Sequence, residues 1–169
     1  MHDPQNWDGY WQKERLACNV AYDHIASFFR RDIIRPYLNR FIWQNFAPGS
    51  RRAAGGCGSG EVDVDVTRRY TVTALDISLN ALAIYQRIHR GHFSLVHGDV
   101  PAMDIPTESM DGVYSLGLLE HFPPEQIRRI LGEFYAVLKP GGKAGSSGPR
   151  STGRAYFSSR RGILRSTES

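Results

Sequence analysis

Cysteine is scarce: Cys18 and Cys57 are the only two among 169 residues. Their spacing fits neither a zinc knuckle nor a disulfide framework, so both are expected as free thiols in a reducing compartment, with no metal site. No run of about 18 apolar residues occurs, which excludes an apolar membrane-spanning helix. The opening stretch MHDPQNWDGYWQ lacks the basic and apolar blocks of a signal peptide. A soluble, cytoplasmic protein is the expectation. Net charge is also missing from most of the chain. Of 21 Lys+Arg and 17 Asp+Glu, five Arg and one Glu fall in residues 144–169, so the tail carries the whole net charge of +4. The arginine pairs at 30, 51, 68 and 128 have no interleaved aromatic residues, so no nucleic-acid partner is expected. The length suits one domain, and nothing in the sequence sets an oligomeric state.

What is present alternates between strand and helix patterns. Apolar residues recur at helical spacing from Asn19 to Phe46, and Pro36 divides the stretch into two helices. The cluster Trp7, Tyr10, Trp11 either anchors an N-terminal helix or lines a ligand site. Tyr70 to Asp76 (YTVTALD) reads as a strand, and Ser78 to His89 as a helix capped by its serine. FSLVHGD (93–99) and MDGVYSLGLL (110–119) supply further strands. Pro124 to Leu138 reads as a helix with Ile127, Ile130, Leu131, Phe134 and Leu138 on one face, stopped by KPGG at 139–142. Strands alternating with helices predict an α/β fold with a mostly parallel sheet.

The stretch GGCGSGEVDVDV (55–66) is ambiguous, because a glycine loop normally opens a helix whereas Val62, Val64 and Val66 alternate with Asp63 and Asp65 as in a strand. Consecutive parallel strands need a crossover, and only EVDVDVTRR lies between the loop and Tyr70, so a crossover helix is expected there. In this setting Gly56-Cys57-Gly58-Ser59-Gly60 would let a ligand approach backbone N–H groups closely. Asp76, sixteen residues after Gly60, ends a strand where a carboxylate can accept from both ribose hydroxyls of a nucleoside. Asp99 ends the next strand, within reach of an adenine edge. A dinucleotide site would want G-x-G-x-x-G, but the spacing here is G-x-G-x-G and Glu61 stands in place of the third glycine.

Five elements, GCGSG, TALDIS (73–78), HGDV (97–100), SLGLLEHF (115–122) and VLKPGGK (137–143), together resemble class I S-adenosylmethionine-dependent methyltransferases of the small-molecule type. The resemblance runs from about Trp7 to Lys143. It implies a Rossmann-like, three-layer open sheet and S-adenosyl-L-methionine as cofactor, with a small-molecule methyl acceptor. It places the methionine moiety on Gly56, Cys57, Gly58 and Gly60, the ribose on Asp76 beside Ile77, and the adenine against Asp99 and Val100. Ser115 joins the cofactor set through its motif. His121 is the candidate for contacting or deprotonating an acceptor, the alternative being that it only packs or caps the loop before Pro123.

Two stretches depart from that pattern. Ser50 to Gly55 (SRRAAG) makes a poor central strand, since Arg51 and Arg52 would enter a sheet covered on both faces. After Lys143 the apolar period is lost in a segment rich in Ser, Arg and Gly, which reads as disordered and fits either truncation or a shifted reading frame. The sequence therefore predicts a helical cover over 1–48, a cofactor-binding core over 49–143 and a basic tail over 144–169. The sheet is expected to be incomplete relative to the seven-stranded methyltransferase fold. An inactive cofactor-binding remnant is the alternative to an active enzyme.

Overall fold

The computed structural model describes residues 4–13, 28, 30–147, 156–159 and 165–166. Cys18 and residues 19–27 and 29 of the expected N-terminal helices lie outside them. Helix α1 (Pro4–Lys13) is followed by a short π-helical turn (Arg30–Ile34) that runs into α2 (Arg35–Asn45). Pro36 sits in the first turn of α2, where its missing N–H costs nothing. Then come β1 (Arg51–Gly55), β2 (Thr71–Asp76), α3 (Leu79–Ile88), β3 (Phe93–His97), β4 (Met110–Leu116), α4 (Pro124–Val137), β5 (Leu138–Ser147), β6 (Tyr156–Ser159) and β7 (Arg165–Ser166). Strands β1 to β5 are parallel and β6 and β7 antiparallel, in the order β3-β2-β1-β4-β5-β6-β7.

The α/β, mostly parallel, Rossmann-like sheet is as expected, and its last two strands are short, of four and two residues. Seven strands pair among the described residues. Strand β5 carries past Lys143 to Ser147, with Gly145 opposite both Tyr114 of β4 and Phe157 of β6. Backbone pairing does not need the apolar side chains whose loss marked this stretch in the sequence. KPGG likewise does more than stop α4: it lies inside β5, at a shift of register between Met110 and Gly112 of β4.

Period-2 alternation assigns each strand residue to one of two cores. Ala53, Leu75 and Val113 face Ile130, Phe134 and Val137 of α4. Ala54, Val72, Ala74 and Tyr114 face Leu38 and Ile42 of α2, Tyr85 of α3 and Val66 of the crossover. Two covered faces make the three layers. Leu131, expected on the buried face of α4, is instead largely exposed.

Strand β1 tolerates its arginines for different reasons. Arg51 is exposed at the strand's start, with its N–H donating to Asp111 Oδ2 at 2.8 Å. Arg52 is fully buried; its guanidinium lies 3.3 Å from the Phe46 ring centroid and 4.9 Å from that of Tyr70, and donates to Ser50 Oγ at 2.7 Å. Cation–π attraction of roughly 2 kcal/mol in a desolvated setting offsets part of the burial cost. Burial still lowers its pKa to about 10.

The crossover between β1 and β2 is not the regular helix expected. Residues 61–69 form consecutive turns: the N–H groups of Asp63, Val66, Arg68 and Arg69 reach the carbonyl three residues back, and only those of Thr67 and Tyr70 reach four back. Three β-branched valines and two aspartates are weak helix formers. The aspartates also have better partners elsewhere. Asp65 takes a bidentate pair from Arg35 of α2 at 2.6 and 2.7 Å and a bond from Asn39 at 2.9 Å, and these donors hold its carboxyl below the usual range. Val62 and Val66 nevertheless join the α2–α3 core, as a crossover should.

Candidate functional site

The loop leaving β1 is built from residues that only glycine can supply. Gly56, Gly58 and Gly60 have φ of 64°, 54° and 70°, the left-handed region that L side chains rarely enter. Each is also tightly covered. A Cβ on Gly56 would lie 2.6 Å from Leu118, one on Gly58 2.9 Å from Trp11, and one on Gly60 2.4 Å from the Tyr85 ring. The Cys57 N–H donates to the Leu75 carbonyl at 3.0 Å, tying the loop to β2. Burial pushes the Cys57 thiol well up, so it is not a ready nucleophile.

Asp76, at the end of β2, organises this loop. Its Oδ2 accepts from the Gly58 N–H at 2.8 Å and its Oδ1 from the Ser78 N–H at 2.9 Å. A carboxylate has about four acceptor positions, and with the Ile77 N–H also directed at it, capacity remains for a further donor. Burial raises its pKa, and the backbone donors oppose that shift. The neighbouring strand end is bound to the same place: the Gly98 N–H donates to the Asp76 carbonyl at 3.0 Å, and His97 Nε2 lies 3.0 Å from the Ile77 carbonyl. Asp99 then opens the short turn Val100–Ala102, and Val100 is buried in the α4-side core. Thus Gly56, Cys57, Gly58, Gly60, Asp76, Ile77 and Asp99 gather at the C-terminal ends of β1, β2 and β3. Ser115, near the end of β4, directs its hydroxyl to Ser146 Oγ on β5 at 3.0 Å.

Helix α1 lies across these ends. Asp8 Oδ1 accepts from the Ser78 hydroxyl and, at 3.4 Å, from the Asn80 N–H, adding a carboxylate at the N-terminus of α3. Trp11 covers Gly58, and the Trp7 ring meets His121 edge-on at 5.1 Å. His121 itself is exposed on a short turn, Leu119–His121, after β4. The aromatic cluster therefore packs helix α1 against the glycine loop and His121.

One group escaped the sequence reading. Asp63 is buried under the loop, where its Oδ2 accepts from the hydroxyls of Tyr85 at 3.0 Å and Tyr114 at 2.5 Å. His89, also buried, stacks on Tyr85 at 3.7 Å and places Nε2 3.0 Å from the Gly60 carbonyl. Burial lifts the Asp63 pKa to about 7 and lowers that of His89 to about 4. These four residues come from the crossover, α3 and β4. The available signal was that Tyr85 and His89 are four apart on one helix face, with an aspartate in the segment that must cross it.

Comparison with known proteins agrees with this arrangement. The Arabidopsis thaliana 2-methyl-6-phytyl-1,4-hydroquinone methyltransferase is 30% identical over 153 residues, covering 84% of this chain and 42% of that protein. The Candida albicans sterol 24-C-methyltransferase is 33% identical over 97 residues, covering 53% of this chain and 25% of that one. The chain thus spans less than half the length of these curated relatives. Among solved structures, a candidate S-adenosyl-L-methionine-dependent methyltransferase from Methanococcus maripaludis superposes with a TM-score of 0.62 at 20% identity, over 75% of this chain and 61% of the other. At that identity the likeness shows the fold alone. The family model described as a methyltransferase domain matches residues 54–142, from the end of β1 into β5, and so takes in the glycine loop, Asp76 and His121. Because that match extends over more than half of its residues, the chain belongs to the methyltransferase-domain family.

Proposed function

We propose that this protein transfers a methyl group from S-adenosyl-L-methionine to a small organic acceptor. One observation supports the reading: the left-handed glycine loop is hydrogen-bonded to Asp76, so a glycine backbone and a carboxylate form one unit at the C-terminal edge of the sheet. Gly56, Cys57, Gly58 and Gly60 would hold the methionine moiety through backbone groups, and Asp76 beside Ile77 would accept from the ribose hydroxyls. Asp99 and Val100 would border the adenine, with Ser115 near the end of β4. When bound, the cofactor supplies an electrophilic methyl on a sulfonium. The protein's part is alignment and exclusion of water. Trp11 covers Gly58 and Trp7 meets the ring of His121, which would orient an acceptor or take its proton.

The relatives are named for a phytyl hydroquinone and a sterol, which supports a small, largely apolar acceptor. Among the described residues no helix is long and apolar enough to cross a membrane, so such an acceptor would be reached at an interface or from solution. The test is incubation of the full chain with methyl-labelled S-adenosyl-L-methionine and separate quinol and sterol acceptors. Label in an acceptor supports transfer; binding of the cofactor with no label in any acceptor favours a binding protein without transfer.

A further inference from the structure

His89 has no part in the roles above, yet its Nε2 lies 3.0 Å from the Gly60 carbonyl of the glycine loop and 3.5 Å from Asp63 Oδ1. The Gly60 carbonyl can only accept, so the 3.0 Å contact puts a proton on His89 Nε2. A neutral ring then presents Nδ1 as an acceptor; the Thr67 hydroxyl lies 3.0 Å from it and 3.1 Å from the Val64 carbonyl, so its single proton is shared between two acceptors. The ring is held in plane by stacking on Tyr85 and by the edge of Phe93 at 5.7 Å. Tyr85 is held in turn by Asp63, which Tyr114 anchors to the central sheet. Phe93 is half-buried, but Asp63, Thr67, Tyr85, His89 and Tyr114 are buried, so the chain from β4 to the loop is shielded from competing water.

We infer that His89 is a positioning residue for the cofactor loop: its Nε2–H fixes the Gly60 carbonyl and thereby the backbone of Gly58 to Gly60 that faces the ligand. Because the peptide is planar, fixing that carbonyl also fixes the Glu61 N–H on the opposite side of the same plane. The ligand part of this inference rests on reading the loop as the S-adenosyl-L-methionine site; the loop-ordering part does not.

The test uses the full chain with His89→Phe, which keeps a ring but loses the donor, and His89→Gln, whose amide N–H reaches close to the Nε2 position. Two quantities are read: amide exchange at Cys57, Gly58 and Gly60 in the free protein, and the calorimetric Kd for S-adenosyl-L-homocysteine. With one hydrogen bond lost, His89→Phe is expected to weaken binding roughly five- to tenfold and to speed exchange at Gly60 by a similar factor, and His89→Gln to restore most of both. Wild-type exchange and Kd in His89→Phe, with only a lower denaturation midpoint, would reduce His89 to packing and overturn the inference. If the wild type itself fails to bind, the cofactor reading falls, and the exchange comparison alone decides the role of His89. Should His89→Phe not fold, His89→Leu removes the donor with a smaller apolar side chain. Faster Gly60 exchange there supports the inference, and unchanged exchange overturns it.

Discussion

Asp63 Oδ1 and His89 Nε2 lie 3.5 Å apart with both side chains buried, and burial favours the neutral form of each. Asp63 is raised from 3.8 to about 7, so alone it stabilises the fold at low pH and loses that contribution as pH rises to about 7. His89 is lowered from 6.5 to about 4, so alone it stabilises above pH 6.5 and loses that contribution as pH falls to about 4. In between, folded and unfolded states each carry one proton on the pair, and the two slopes cancel. His89→Phe should uncover the Asp63 slope, with stability relative to wild type falling as pH rises from about 4 to 6.5 by up to ~1.4 kcal/mol per unit. Asp63→Asn should show the opposite sign. Urea denaturation at pH 4.5, 5.5 and 6.5 checks both, and profiles parallel to wild type contradict the pairing.

Two glycines should respond oppositely to alanine. Gly60→Ala puts a methyl 2.4 Å from Tyr85 at φ 70°, and should cost at least about 2 kcal/mol. Gly132, exposed within α4 with nothing within 4 Å of its Cβ position, should gain roughly 0.5–1 kcal/mol as alanine. Thermal and urea denaturation measure both.

Arg52 is buried with its Nε and one Nη lacking hydrogen-bond partners. Replacing a buried charge by an apolar residue of similar length is often neutral or stabilising. Arg52→Met should therefore match or exceed wild-type stability, whereas Arg52→Ala, which leaves a cavity against Phe46 and Tyr70, should lose about 2 kcal/mol or more. A methionine variant as weak as the alanine variant would show that the cation–π stack dominates β1.

His121 tests the acceptor side separately from the cofactor side. If it takes a proton from the acceptor, His121→Asn should lower kcat roughly a hundredfold and leave the Kd for S-adenosyl-L-homocysteine unchanged. An unchanged kcat would leave the ring with only its edge contact to Trp7.

Local chemistry made the parallel strands, the Ser78 cap and the glycine loop legible in the sequence. Ser78 Oγ does accept from the Ala81 N–H at 3.2 Å, and Asp76 does stand beside Gly58. What stayed hidden depends on distant partners. The crossover lost its regular helix because Asp63 and Asp65 are drawn to Tyr85, Tyr114 and Arg35, none of which is near in sequence. Arg52 looked untenable in a central strand because Phe46 and Tyr70, on either side of β1, were not placed over it. Strand β5 was invisible beyond Lys143 because small polar residues can pair through backbone alone.

The most direct measurement is calorimetric titration of S-adenosyl-L-homocysteine into the full chain and into Asp76→Ala, with NADH as a competitor. In the proposed site the carboxylate would make charge-assisted bonds to ribose hydroxyls, and it also accepts from the Gly58 N–H, so its loss should weaken binding by roughly 1.5–3 kcal/mol, about ten- to a hundredfold in Kd. The expected result is saturable one-to-one binding by the wild type, that loss in the variant, and no displacement by NADH. Equal affinity in both proteins, or no binding by the wild type, would contradict the assignment of the glycine loop and Asp76 as the cofactor site.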